Sequence, residues 1–121
     1  MIRQIEDWEF DIDMTRTMEY SAAEAAEHCT CAYCRNFYAA VDACYPNLRP
    51  FLAQFGLDIE APEDLFPYDI ADKMIYEGNY WVCGSVLKFG NSSIHVGNVG
   101  ILPTLNGGEA QGFVLSVSRI I

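Results

Sequence analysis

A strict alternation of apolar and polar side chains covers residues 8–14, near the start of the chain. Trp8 and Phe10 are on the apolar side, and Glu9, Asp11 and Asp13 are on the polar side. A period of two places successive side chains on opposite faces of a β-strand. The pattern therefore predicts a half-buried strand with an acidic outer face.

Helical spacing follows this strand. Ser21 and Glu24 have the spacing of a capping box, which predicts an alanine-rich helix that runs towards His28. A second helix is expected from residue 31 to about residue 43, before Pro46, which cannot continue a helix. The apolar side chains at helical spacing in this second segment are Cys34, Phe37, Val41 and Cys44.

A short third helix is predicted between Asn47, which can cap its start, and Gly56, a natural C-terminal stop. Its apolar positions are Leu48, Phe51, Leu52 and Phe55. Residues 57–72 are acidic and contain two prolines. We expect this segment to be mostly loop.

The remainder of the chain has the composition of strands. Residues 74–76 and 80–87 flank a short segment around Gly78, which predicts a β-hairpin. The other predicted elements are a turn at 90–93, a strand at 94–96, a turn at 106–108 and a final strand at 112–121 with Phe113, Leu115 and Val117 on its apolar face.

A strand, then helices, then an antiparallel meander together predict one α+β domain over residues 1–121. We expect two layers: an antiparallel sheet of about four to six strands, with two or three helices packed on one face.

The charge of the chain excludes some partners. Seventeen acidic and seven basic side chains give a formal net charge of −10. Proteins that bind nucleic acid neutralise phosphates with clustered lysine and arginine, and the sequence has no such basic stripe. Anionic membrane surfaces are disfavoured for the same reason. We therefore expect an acidic surface, and we expect neither nucleic acid nor a membrane as partner.

The cysteine count bears on the compartment. The first residues lack the apolar core of a signal peptide, and no apolar run approaches the roughly 18 residues of a membrane span. Five cysteines, an odd number, cannot all be paired in disulfides. We therefore expect a cytoplasmic protein whose thiols are free or bind a metal ion.

Three of these cysteines, Cys29, Cys31 and Cys34, cluster at the predicted start of the second helix. A Cys-x-x-Cys at a helix start lets two thiolates converge on one ion, and Cys29 or His28 can supply a third ligand. Zinc prefers four such ligands in a tetrahedron. The cysteine cluster with His28 is therefore a candidate zinc site.

Other interpretations of the cluster stay open, because no second ligand pair follows it. The thiols can be packed locally, can hold a zinc ion that stabilises the domain, or can serve a small thiol-dependent enzyme. Cys44 and Cys83 are predicted to be small buried hydrophobes. We assign no catalytic residue, because no nucleophile and base stand in a recognisable pattern.

The motif C-x-C-x-x-C-R-N-F that begins at Cys29, together with residues 51–58, Pro62, Tyr80 and Gly84, resembles a family of short bacterial proteins without an assigned activity. The resemblance extends over roughly residues 8–88. It implies a single α+β domain and no particular substrate.

Aromatic residues in the β-rich half suggest a protein contact. Tyrosine and tryptophan are enriched at protein interfaces, and Tyr76, Tyr80 and Trp81 are candidates for a partner-binding face. The leading hypothesis is a non-enzymatic interaction domain whose partner is a protein. Residues 119–121, at the end of the chain, are largely apolar. We expect them to be shielded from water, either by the sheet or by a second copy of the chain in a homodimer.

Overall fold

A computed structural model describes residues 1–70, 73–105 and 112–120. Within these ranges the chain forms seven strands and three helices. In chain order they are β1 (Ile2–Ile5), β2 (Trp8–Ile12), α1 (Met14–Ala26), α2 (Ala32–Cys44), α3 (Leu48–Ala53), β3 (Asp64–Ile70), β4 (Lys73–Lys88), β5 (Ile94–Val96), β6 (Val99–Leu105) and β7 (Gly112–Ile120).

All seven strands belong to one open sheet in the order β1-β2-β4-β7-β6-β5, with β3 also paired to β4. Every strand pair is antiparallel. The predicted α+β class and antiparallel sheet are confirmed. The sheet exceeds the predicted four to six strands because β1, β3 and β6 fall in segments where the sequence pattern indicated no strand.

The predicted hairpin around Gly78 is wrong, because β4 continues through it as one long strand. Gly78 pairs with Leu65 of β3 on one edge and with Val117 of β7 on the other. The partner that β4 finds here is β3, which lies in the segment predicted to be mostly loop. Gly78 is buried, so this glycine marks close packing in a central strand and not a turn.

The start of α1 completes an edge of β4. β2 pairs with residues 84–88 of β4 and β3 with residues 73–79, which leaves a gap between them. In the gap, the Asp13 amide donates to the Cys83 carbonyl at 2.9 Å, and the Cys83 amide donates to Thr17 Oγ1 at 3.0 Å. Thr17 Oγ1 itself donates to the Asp13 carbonyl at 2.8 Å. The backbone groups of Cys83 are therefore satisfied by a helix start instead of a strand.

The position of α1 corrects two predictions. Its N-cap is Asp13, whose carboxylate accepts a hydrogen bond from the Arg16 amide at 3.1 Å. The first helix therefore begins at Met14 and not at Ser21, and β2 ends at Ile12. Ser21 lies buried inside α1, where its hydroxyl accepts a hydrogen bond from the Asp58 amide at 2.8 Å.

Thr17→Val is expected to lower the free energy of unfolding by about 1–3 kcal/mol, because the buried Cys83 amide loses its acceptor while the side-chain volume stays similar. Urea denaturation measures the change. The control is Thr15→Val, an exposed position on the same helix, where we expect a much smaller effect. Equal costs at the two positions would contradict the role given to Thr17.

The core lies between the sheet and helices α2 and α3. At its centre the Phe10 ring lies 5.2 Å from that of Phe113 and 5.3 Å from that of Phe55, measured between centroids. Most side chains expected in the core from helical or strand spacing are buried: Phe37, Val41, Leu48, Phe51, Leu52, Phe55, Phe113, Leu115 and Val117.

One burial prediction is wrong, and other predictions fall outside the described residues. Cys44, predicted to be buried, is exposed, because it is the last residue of α2 and the buried stripe ends one turn earlier at Val41. The predicted turn at 106–108 and the side chains of residues 119–121 lie outside the described residues. No described helix is long and apolar enough to cross a bilayer.

Candidate metal centre

Three thiols meet where α1 gives way to α2. Cys29 lies in the connection between the helices, Cys31 is the N-cap of α2, and Cys34 lies in its first turn. The three Sγ atoms all lie within 4.8 Å of one another. Cys29 and Cys31 are exposed, whereas Cys34 is buried. The cluster is thus open to solvent on one side and backed by the core on the other.

The spacing of the thiols suits one metal ion. At a Zn–S distance of about 2.3 Å, sulfurs at the corners of a tetrahedron lie about 3.8 Å apart. Closing the observed separations to that value needs shifts of at most about 1 Å, within reach of side-chain rotation. Three sulfur donors favour zinc and other soft or borderline cations over magnesium or calcium. The triad is therefore able to hold a metal ion.

The two thiols of the Cys-x-x-Cys pair differ in acidity. The Cys34 backbone amide at the start of α2, together with the neighbouring thiols, lowers the pKa of Cys31 to about 7. Burial, followed by the nearby Cys29 and Cys31 thiols, raises the pKa of Cys34 to about 12. At neutral pH without metal, Cys31 is partly a thiolate and Cys34 is a thiol.

In the metal-free, reduced protein, Cys31 is expected to react with iodoacetamide at a rate that rises through pH about 7 and then levels off, because the thiolate is the reactive form. Cys34 should react far more slowly across the same range. Peptide mass spectrometry after short pulses resolves the sites. A Cys31 rate that keeps rising tenfold per pH unit beyond pH 8 would contradict the lowered pKa.

Hydrogen bonds hold the cluster in shape. The Cys31 amide donates a hydrogen bond to Cys29 Sγ at 3.4 Å. This N–H group would stabilise the negative charge of Cys29 as a thiolate. The Tyr38 hydroxyl donates to the Cys29 carbonyl at 3.0 Å. Because Tyr38 is one helical turn after Cys34, α2 contributes both a thiol and the residue that restrains the preceding loop.

Tyr76 ties the start of α2 to the sheet. Its hydroxyl donates to the Tyr33 carbonyl at 2.9 Å and accepts a hydrogen bond from Asn36 Nδ2 at 2.9 Å. Its ring contacts Phe37 with a centroid distance of 5.3 Å. These contacts fix the helical turn that carries Cys34 against β4.

The assignment of Tyr76, Tyr80 and Trp81 to an exposed binding face is therefore corrected. Tyr76 is 3%, Tyr80 0% and Trp81 8% exposed, so none offers a surface to a partner. The Tyr80 hydroxyl donates to the buried Ile59 carbonyl at 2.6 Å. Tyr76 and Tyr80 belong to the hydrophobic core cluster. A protein partner and a homodimer stay predictions, without these residues to support them.

His28 lies beside the triad without joining it. Its ring stacks on Tyr38, with centroids 4.6 Å apart and planes 14° from parallel. Its Nδ1 is buried and makes no hydrogen bond among the described residues. The close cluster contains only the thiols of Cys29, Cys31 and Cys34, so the structure does not bring His28 into it.

A cavity of about 480 Å³ opens next to the thiols. One wall carries the triad, His28, Tyr33 and Tyr38, and another is formed by Pro62, Leu65 and Pro67 before and within β3. Four carboxylates also line it: Glu24, Glu27, Glu63 and Asp64. Burial, then Asp64 and Glu24, raises the pKa of Glu63, so the acidic groups crowd one another. The cavity is therefore strongly acidic.

Some of these residues were not predicted from the sequence. Tyr38 could have been found from its helical spacing to Cys34. The carboxylates of Glu63 and Asp64, just before and at the start of β3, had no local signal, because they meet α1 only through the fold. Cys44 and Cys83 stay outside the close cluster, and Cys83 is buried as predicted.

Comparisons of the chain with models of known protein families, with curated proteins and with solved structures find no match. The resemblance noted for the C-x-C-x-x-C-R-N-F motif therefore stays a prediction, and the function must be inferred from the site itself.

Proposed function

We propose that the chain is a zinc-binding domain in which the thiolates of Cys29, Cys31 and Cys34 hold one Zn²⁺ ion. The observation that carries the proposal is the convergence of three Sγ atoms within 4.8 Å at the start of α2. Zinc binds thiolate ligands in tetrahedral geometry, and its filled d shell imposes no geometric preference of its own. Both properties suit a compact cluster of three sulfurs. Metal binding would displace the thiol protons.

The surroundings of the thiols support metal binding over a purely structural packing role. Packed cysteines are usually buried singly among apolar side chains. Here two of the three thiols are exposed and face an acidic cavity, which attracts cations. A disulfide-exchange role would use two thiols, and it leaves the third, Cys29, without a function.

The ion would tie the α1–α2 connection to the first turn of α2. Cys29 lies before the helix and Cys34 within it, so one bound ion would cross-link a loop to a helix that Tyr76 already attaches to the sheet. The proposed function is therefore a metal-dependent ordering of this corner of the domain, with the metal exposed to the adjacent cavity.

Cys34→Ser tests the proposal. A hydroxyl is a much poorer zinc ligand than a thiolate, so we expect zinc affinity to fall by about 100-fold or more. Competition with a chromophoric zinc chelator measures the affinity. The matched control is Cys44→Ser, because Cys44 is an exposed cysteine at the other end of α2, about 15 Å along the helix. Equal zinc affinities in both variants would refute the three-thiolate site.

A further inference from the structure

The metal site proposed above has three protein donors, whereas zinc takes four ligands. Structural zinc sites are closed by a fourth residue, and sites that bind other molecules keep one position open. Among the described residues, the close cluster contains three thiols and no histidine or carboxylate. The fourth position is therefore the feature from which the ligand of this site can be inferred.

The acidic cavity borders the cysteines on the side where a fourth ligand can enter. Its volume, about 480 Å³, is in the range of small-molecule sites. His28 lines the same cavity, but its ring is held in a stack on Tyr38. Its nitrogens lie outside the close three-thiol cluster, so His28 would have to move towards the thiols to act as a ligand. An external molecule can reach the ion without such a change.

The three thiolates determine the kind of donor atom. They carry three negative charges, so the complex of Zn²⁺ with the three thiolates has a net charge of −1. Such a complex acidifies bound water less than a zinc site with neutral histidines does. A thiol, in contrast, is deprotonated outright when it coordinates zinc. Sulfur is also the donor type that zinc already has in this site. The favoured external ligand is therefore a thiol.

The walls of the cavity determine the charge of the molecule that carries the thiol. Glu24, Glu27, Glu63 and Asp64 line it, and no lysine or arginine is among its described lining residues. The ion pairs found among the described residues use other carboxylates: Asp11, Asp42, Asp58 and Glu60. Because a bound thiolate adds another negative charge here, a cationic group on the same molecule would offset the repulsion.

We infer that the site takes a small cationic thiol, an aminothiol, whose sulfur occupies the fourth position on zinc and whose ammonium group faces the cavity carboxylates. This inference rests on the proposed zinc site. In the binding step the S–H bond breaks, its proton passes to water, and a Zn–S bond forms. No atom is oxidised or reduced.

The experiment uses the full chain loaded with Co²⁺, whose visible and near-ultraviolet absorption reports its ligands. The loaded protein is titrated with cysteamine, with neutral 2-mercaptoethanol, with anionic 3-mercaptopropionate and with ethanolamine, which has no thiol. Mass spectrometry after each titration verifies that cobalt stays bound. We expect cysteamine to change the spectrum at concentrations roughly tenfold lower than 2-mercaptoethanol does. Ethanolamine should have no effect.

Thiols differ in intrinsic acidity, so a pair of charge variants supplies the decisive comparison. Glu27→Gln with Glu63→Gln removes two cavity carboxylates, and Glu19→Gln with Glu77→Gln removes two exposed carboxylates outside the cavity. The net charge changes equally in both. We expect the preference for cysteamine over 3-mercaptopropionate to fall by roughly tenfold in the cavity variant only. An equal preference in both double variants would overturn the inference.

Two other results separate this inference from the proposed function. If cobalt binds but no thiol alters its spectrum, and His28→Ala restores the response, His28 is the fourth ligand and the aminothiol site is refuted while the metal site stands. If cobalt does not bind with the triad intact, the proposed function and this inference both fail.

Discussion

Saturating zinc is expected to raise the free energy of unfolding of the reduced chain by about 2–4 kcal/mol. A ligand that binds only the native state contributes about 4.1 kcal/mol at a free concentration of 1,000 times its dissociation constant. The three cysteines lie within residues 29–34, so the unfolded chain keeps some affinity for zinc, which lowers the gain. For a domain of this size the melting temperature should rise by roughly 10 °C.

Urea denaturation under reducing conditions, with zinc or with a chelator, measures this gain. Cys44→Ser should retain it, since this cysteine lies outside the cluster, and Cys34→Ser should lose most of it. Magnesium should not replace zinc, because it requires oxygen ligands. Identical denaturation midpoints with zinc and with chelator would be inconsistent with a metal that orders the α1–α2 connection.

Gly84→Ala is expected to lower the free energy of unfolding by more than about 4 kcal/mol, among the largest effects of a single substitution. Gly84 has φ +145°, a backbone conformation that residues with a side chain rarely adopt. A Cβ atom there would also collide with the Asp11 carbonyl oxygen, in the strand that pairs with β4 at this point. The substitution therefore strains the backbone and forces β2 away from β4.

The control for this substitution is Gly100→Ala. Gly100 lies in β6, and among the described residues a Cβ atom there would meet only Ser118 Oγ, at an ordinary contact distance of 3.5 Å. We expect the stability of this variant to stay within about 1 kcal/mol of the parent. Chemical denaturation compares the two, with circular dichroism to detect a chain that fails to fold. A Gly84→Ala protein as stable as Gly100→Ala would contradict the close approach of β2 and β4.

The fold class was predictable because its main signals are local. Alternation around Phe10 and Phe113 specified strands with one buried face, and helical spacing around Phe37 specified a buried stripe on α2. These patterns require only that each element present an apolar side to a shared core. They do not depend on which strand pairs with which.

The errors arose where the fold overrides local signals. Gly78 resembled a turn residue, yet in β4 it lies between two neighbouring strands, a setting that the sequence cannot reveal. Ser21 had the spacing of an N-cap, but Asp13 caps α1 earlier, where the chain meets the open edge of β4. In each case a contact distant in sequence decided the outcome.

The residues of the candidate site also divide into those with a local sequence signal and those that only the fold brings together. The three cysteines were recognisable because all lie within one turn of a helix start, where local geometry brings thiols together. The carboxylates that line the cavity were not recognisable from the sequence, since Glu63 reaches the cavity only when β3 joins the sheet beside α1. Tyr76 was assigned to a surface, although its hydroxyl attaches α2 to β4.

The most direct test of the zinc site is to measure zinc content and thiol protection together, on reduced chain purified without chelator or a histidine tag. Native mass spectrometry should find one zinc per chain. Cys29 and Cys31, although exposed, should resist alkylation until chelator is added, while the exposed Cys44 reacts throughout. Absence of bound metal after zinc addition, with Cys29 and Cys31 alkylated as readily as Cys44, would contradict the account.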